Sequence, residues 1–89
     1  MAYRPRNLSV LAYANGFTLW HYTTIDTAAT TDTTGYFNTA ADMLRVGDLI
    51  LANVDTAGAP GAGIFLVNSN NAGVVDVANL TPFGATDTD

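Results

Sequence analysis

Residues 15 and 16 are Asn-Gly, and the seven residues after them, FTLWHYT, alternate in character. Asn-Gly is the strongest two-residue hairpin signal, because both positions tolerate positive φ. A period of two puts Phe17, Leu19 and His21 on one face of a strand and Thr18, Trp20 and Tyr22 on the other. The run before the pair, NLSVLAYA at residues 7–14, alternates loosely and reads as a first strand or an extended arm. Together these segments predict a tight hairpin over residues 10–23. Both faces of its second strand carry large rings, so both are expected to be covered.

The remainder of the chain continues in the same style. Thirteen threonines, eight glycines and many Asn and Asp residues favour strands and tight turns over helices. Residues 24–35, TIDTAATTDTTG, read as a loop. Asn38 is placed to cap a short helix running to Leu44, its side chain accepting from the free N–H groups of the first turn. Phe37 and Leu44 would anchor that helix to the core. Gly47-Asp48 turns the chain into residues 49–54, LILANV, which reads as a buried strand. A turn-rich stretch at 55–63 leads to a second buried strand at 64–68. A hairpin turn at 69–73 leads to a third strand at 74–80.

The expected core is Leu49, Ile50, Leu51, Val54, Ile64, Leu66, Val67, Val74 and Val77. The two similar tetrapeptides DTTG and DTAG are ordinary turn chemistry and not a repeat. The pattern predicts a mainly all-β fold: a small antiparallel β-barrel or sandwich of five to six short strands with one short helix. Residues 1–7 read as an extended N-terminal arm, 8–80 as a single β-rich domain and 81–89 as a flexible tail.

Size and charge narrow the functional classes. An 89-residue chain buries only about 60–65% of its unfolded surface, so its stability margin is narrow. Small domains usually add disulfides, a metal or an oligomer. The chain has no cysteine, no glutamate and one histidine, which removes disulfides and makes a zinc site a poor fit. Self-association is the remaining support, and the 48% hydrophobic content is compatible with it. There is no lysine; the cations are Arg4, Arg6 and Arg45 against eight aspartates, for a net charge of −5. A body this acidic repels nucleic acid and anionic membranes. Arg4 and Arg6 lie outside it and could fasten the arm to an acidic surface; a loose, solvated terminus is the plainer alternative. No targeting or spanning segment is visible, since residues 8–14 are too short and too interrupted.

Candidate chemistry is sparse. His21 is the only general base of the usual type, and no spacing gives it a triad partner. The aspartates at 26, 32, 42, 48, 55 and 76 form no calcium-binding loop, and turn chemistry accounts for them. The glycines at 58, 61 and 63 lack the order, the lysine and the helix of a phosphate cradle. No cofactor and no metal is expected. Tyr13, Phe17, Trp20 and Tyr22 could stack on sugars or bases. Aromatics on both faces of one strand are more often core on one side and a protein interface on the other. The candidate interface residues are therefore Tyr3, Arg4, Arg6, Tyr13, Trp20, His21 and Tyr22.

The stretches LSVLAYANGFTLWHY, GYFNTAADMLRVGDLILANV and GVVDVANL together resemble a group of short proteins encoded in tailed-phage and prophage genomes, often among virion structural genes near those for the head. The resemblance spans residues 8–80. The group has no catalytic motif to carry over. The resemblance implies a virion component and not an enzyme: a head decoration or cement protein, or the base of a head fibre or spike. It implies a homo-oligomer, with a trimer favoured, that is made in the host cytoplasm and bound to the major capsid protein or other virion proteins on the capsid exterior. The alternative function is a carbohydrate- or receptor-binding module of a head fibre or tail, using the aromatic cluster around Trp20.

Overall fold

A computed structural model describes residues 3–84. The fold is mainly β, as expected, and its strands form one six-stranded sheet. The chain runs β1 (Leu8–Ala14), β2 (Phe17–Thr23), α1 (Ala28–Thr31), β3 (Leu49–Val54), β4 (Gly61–Asn71), β5 (Val74–Val77) and β6 (Thr81–Pro82). The spatial order is β1-β2-β3-β4-β5, with β6 also paired to β4. The expected hairpin is present: Ala14 faces Phe17 across the Asn15-Gly16 turn. Only Gly16 uses the left-handed region there, at φ 98°. Leu11 is an extra residue between Val10 and Ala12, so β1 carries a bulge.

The antiparallel barrel is corrected in two respects. The strands β2 and β3 pair in parallel, with Leu19 opposite Leu49 and Thr23 opposite Asn53. The sheet is also open and not closed into a barrel. A parallel pair needs a crossover of a dozen or more residues, and residues 24–48 supply it. That segment is not the plain loop expected. Thr27 caps α1 by accepting the Thr30 N–H through its hydroxyl.

Asn38 does not cap a helix to Leu44. Residues Asn38–Ala40 form a single 3-10 turn, and the Asn38 side chain reaches away to accept the Val75 N–H at 2.8 Å. Phe37 and Leu44 are buried as expected. Asn70 donates to the carbonyls of Ala41 and Leu44, both at 2.7 Å, and so ties the end of this segment to β4.

The crossover covers one face of the sheet, and the core lies between them. Trp20 and Tyr22 of β2, Ile50, Ala52 and Val54 of β3, Phe65 and Val67 of β4, and Val75 and Val77 of β5 meet Phe37, Ala40 and Leu44. Strict alternation decides the rest. Leu49, Leu51 and Ile64, expected in the core, are half-buried on the other face, while Leu66 and Val74 are exposed. The strand at 49–54 is therefore one-sided, with a burial period of two.

The ends also differ from expectation. In the described part of the arm, Arg4 is extended but Pro5–Asn7 make a 3-10 turn, and the Tyr3 ring stacks on Tyr22 at 5.6 Å. Thr81 and Pro82 form β6 against Ile64 and Gly63. Any side chain at Gly63 would strike the Thr81 carbonyl, so the close approach of that segment requires glycine there. The tail expectation for 85–89 lies outside the described residues.

Candidate functional site

Asp48 sits immediately before β3 and is 1% exposed. Gly47, at φ 96°, turns the chain so that this carboxylate points back at the hairpin. Its Oδ1 accepts the Thr18 N–H at 3.0 Å, and its Oδ2 accepts the Trp20 Nε1–H and the Arg45 N–H, both at 3.1 Å. One buried acid thus fixes the second strand of the hairpin to the 45–48 turn without any cation. Three of its roughly four acceptor positions are filled, so it is a structural anchor and no free base.

Trp20, fixed in this way, is 6% exposed and is among the residues that line a groove of about 620 Å³. The groove runs between the hairpin and residues 43–48. Val10, Tyr13, Phe17 and Met43 give it apolar walls, and Arg45 adds a charge. Tyr13 stands on its wall 80% exposed. Aromatic faces beside a guanidinium can stack on a planar or ring-shaped group and bond its acceptors.

A second aromatic group lies at the other end of the hairpin and belongs to the core. Tyr3, Tyr22, Tyr36 and Phe37 pack with ring centroids 5.0 to 6.3 Å apart. A chain of hydrogen bonds crosses it. The Arg4 N–H donates to the Tyr22 hydroxyl at 3.0 Å, the Tyr22 and Tyr36 hydroxyls are 2.9 Å apart, and Tyr36 donates to Asp26 Oδ2 at 2.7 Å. Burial, the largest cause, pushes the Tyr36 phenol far above its ordinary value; the bond to Thr24 opposes this, while those to Tyr22 and Asp26 add to it. Burial, followed by the neighbouring Tyr22, also raises the Tyr3 phenol. Tyr3 Oη and Asp26 Oδ1 are buried without a hydrogen-bond partner among the described residues.

The third feature is the outer face of the sheet. Register places Leu19, Leu49 and Leu66 in one row across β2, β3 and β4, and His21, Leu51 and Ile64 in the next. His21 Nε2 lies 2.9 Å from Asn53 Nδ2. No Asp or Arg occurs anywhere in β1, β2, β3 or β4. Among the described residues, the charges are confined to the connections, the arm and β5.

The seven candidate interface residues therefore do not form one site. Tyr22 is fully buried, and Tyr3 packs against it in the core group. Arg4 and Arg6 are exposed on the arm. Tyr13 and Trp20 share the groove, whereas His21 is half-buried on the opposite face. Sequence reasoning missed Asp48. Its position before an apolar strand marks it as a turn residue, and nothing in the spacing names Thr18 and Trp20 as its partners. Comparison with known proteins finds no matching family model, no matching curated protein and no matching solved structure.

Proposed function

We propose that the protein is a structural component of a bacteriophage virion, a capsid decoration or cement protein that binds the head exterior as an oligomer and stabilises it. The supporting observation is the absence of charge from strands β1 to β4, which leaves half-buried Leu19 and Leu49 and exposed Leu66 in a row on the outer sheet face of a chain of net charge −5. A neutral apolar face suits another protein surface and offers nothing to a phosphate backbone. The virion itself enters through the resemblance of residues 8–80. On this reading the protein is not an enzyme. Its partners are the major capsid protein or other virion proteins, and neither nucleic acid nor membrane is bound.

Mass spectrometry of purified particles tests the reading through copy number. Hundreds of copies per particle are expected of a decoration protein. A dozen or fewer would move the protein to a vertex or tail, and none would overturn the reading.

The groove favours a second reading, a carbohydrate- or receptor-binding module. Tyr13, Phe17 and Trp20 give aromatic surface there, and Arg45 a donor. A glycan array separates the two readings. Binding that is lost in Tyr13→Ala would establish the second; Tyr13 is the informative position because it is exposed, whereas Trp20→Ala would also break the anchor to Asp48.

A further inference from the structure

The two long edges of the sheet are treated differently. On β5, the Val75 N–H is taken by Asn38 Oδ1 at 2.8 Å, and the Val75 carbonyl accepts the Gly35 N–H at 2.9 Å. The crossover loop thus occupies that edge. On β1, the Leu8 N–H is bonded to Pro5. Among the described residues, the backbone of 9–14 makes no bond beyond its ladder with β2. Monomeric proteins blunt such edges with lysine, proline, inward-pointing charge or a β-bulge, and of these β1 has only the bulge at Leu11. The edge strand LSVLAYA has no charge and no proline, and six of its seven residues are exposed, among them Val10, Leu11 and Tyr13.

We infer that β1 is a self-association edge, and that it pairs with β1 of a second copy, antiparallel across a two-fold axis. Three observations select a second copy over another occupant. The body carries −5, so two copies approach without burying like charges only along charge-free surface, and β1 is such a surface. The bulge at Leu11 bends and twists the strand, which spoils pairing with a flat foreign strand. A two-fold copy brings the same bend to the same place, so bulge meets bulge. Finally, an antiparallel pair of identical strands centred on Leu11 sets Leu11 opposite Leu11, Val10 opposite Ala12 and Leu8 opposite Ala14, and only Ser9 opposite Tyr13 departs from apolar pairing.

The outward N–H and C=O groups of both strands would then be satisfied, and Leu11, 52% exposed, would be covered near the axis. Because the contact is isologous it closes at two copies, and so it predicts a dimer where the resemblance implies a trimer. A single strand pair buries little area, at or below the low end of specific interfaces of about 1,200 Å², so the association should depend on concentration in the micromolar range. The inference rests on the sheet edge and not on the virion reading.

Sedimentation of the full chain across a concentration series tests it. The wild type should pass from monomer to dimer. Leu11→Lys sets two like charges face to face near the axis and should weaken the dimer by about tenfold or more. Leu66→Lys, on the outer face away from the edge, should leave it intact. The chain has no cysteine of its own, so Leu11→Cys provides a check that does not depend on the lysine variant folding. Mild oxidation should link it as a dimer, and Val74→Cys, on β5, should stay unlinked. A wild type that is monomeric throughout, or trimeric, overturns the inference. So does a Leu11→Lys protein as dimeric as the wild type, although self-association through another surface would then stand. Failure of Leu11→Cys to cross-link while the wild type dimerises also excludes this edge.

Discussion

Asp48 and Tyr36 show how much single polar groups carry in a domain this small. Removing the Asp48 carboxylate leaves three N–H donors unpaired, at least one of them buried. Asp48→Ala should cost about 2–4 kcal/mol, by the desolvation penalty of orphaned donors. Thermal melting measures the loss, and Trp20 fluorescence should shift to the red as its indole N–H is released to water. Tyr36 makes a prediction about pH. Its folded value is raised above the ordinary phenol value near 10. Below about pH 10 both states hold the proton, and stability from this group is fully present. Above it the unfolded state ionises first, so the melting temperature should fall as pH rises. Tyr36→Phe should melt lower at neutral pH, because Asp26 loses a donor, and should show a shallower alkaline decline. An equally steep decline in that variant would place the cause elsewhere. Ile50, Val54, Val67 and Val77 were legible as core because they are apolar and lie in apolar runs. Leu66 and Val74 looked the same in sequence but face outward. Nothing in a one-dimensional pattern says which face of a strand the crossover will cover, and a bare apolar face reads like a buried one.

At the scale of elements, the signals that act over a few residues were readable. Asn15-Gly16 gave the hairpin, and residues 49–54 gave β3 with its observed bounds. The parallel pairing of β2 with β3 was not readable. It depends on where residues 24–48 pack, and Asn38, a good local cap, is used instead to close the far edge at Val75. The sequence marks the second hairpin turn only broadly, within residues 69–73. It is in fact the two residues Ala72 and Gly73, with φ of 54° and 84°. Positive φ at both positions is the geometry that favours Asn-Gly, and alanine there is strained by its Cβ. Ala72→Asn should therefore stabilise the protein by about 0.5–1 kcal/mol, given what relief of a left-handed alanine is worth. Denaturant titration with unchanged slope checks it. A midpoint that stays put would mean that the flanking strands, and not the turn, hold this geometry.

For the molecule as a whole, the arm decides how its charge is presented. Residues 1–6 carry the two cations Arg4 and Arg6, whereas the rest carries −7, from one arginine against eight aspartates. A free arm would let those cations wander. Here Tyr3 packs on Tyr22 and Phe37, and the Arg4 N–H bonds the Tyr22 hydroxyl, so the arm is pinned while both guanidinium-bearing residues stay exposed. The molecule is an acidic body with a small basic spot held at a fixed place. Two variants separate the pin from the spot. Tyr3→Ala removes packing and should lower stability by about 2–3 kcal/mol, somewhat less than for a fully buried aromatic ring. Changing Arg4 and Arg6 together to glutamine should leave the melting temperature nearly unchanged, since exposed charges contribute little to stability. On the virion reading, the same double variant should bind isolated capsids more weakly at low salt, and the difference from wild type should shrink as salt screens an exposed contact. Equal binding at every salt concentration would show that the basic spot takes no part in attachment. A double variant that melts as early as Tyr3→Ala would show instead that the arginines help hold the arm, and that pin and spot are one element.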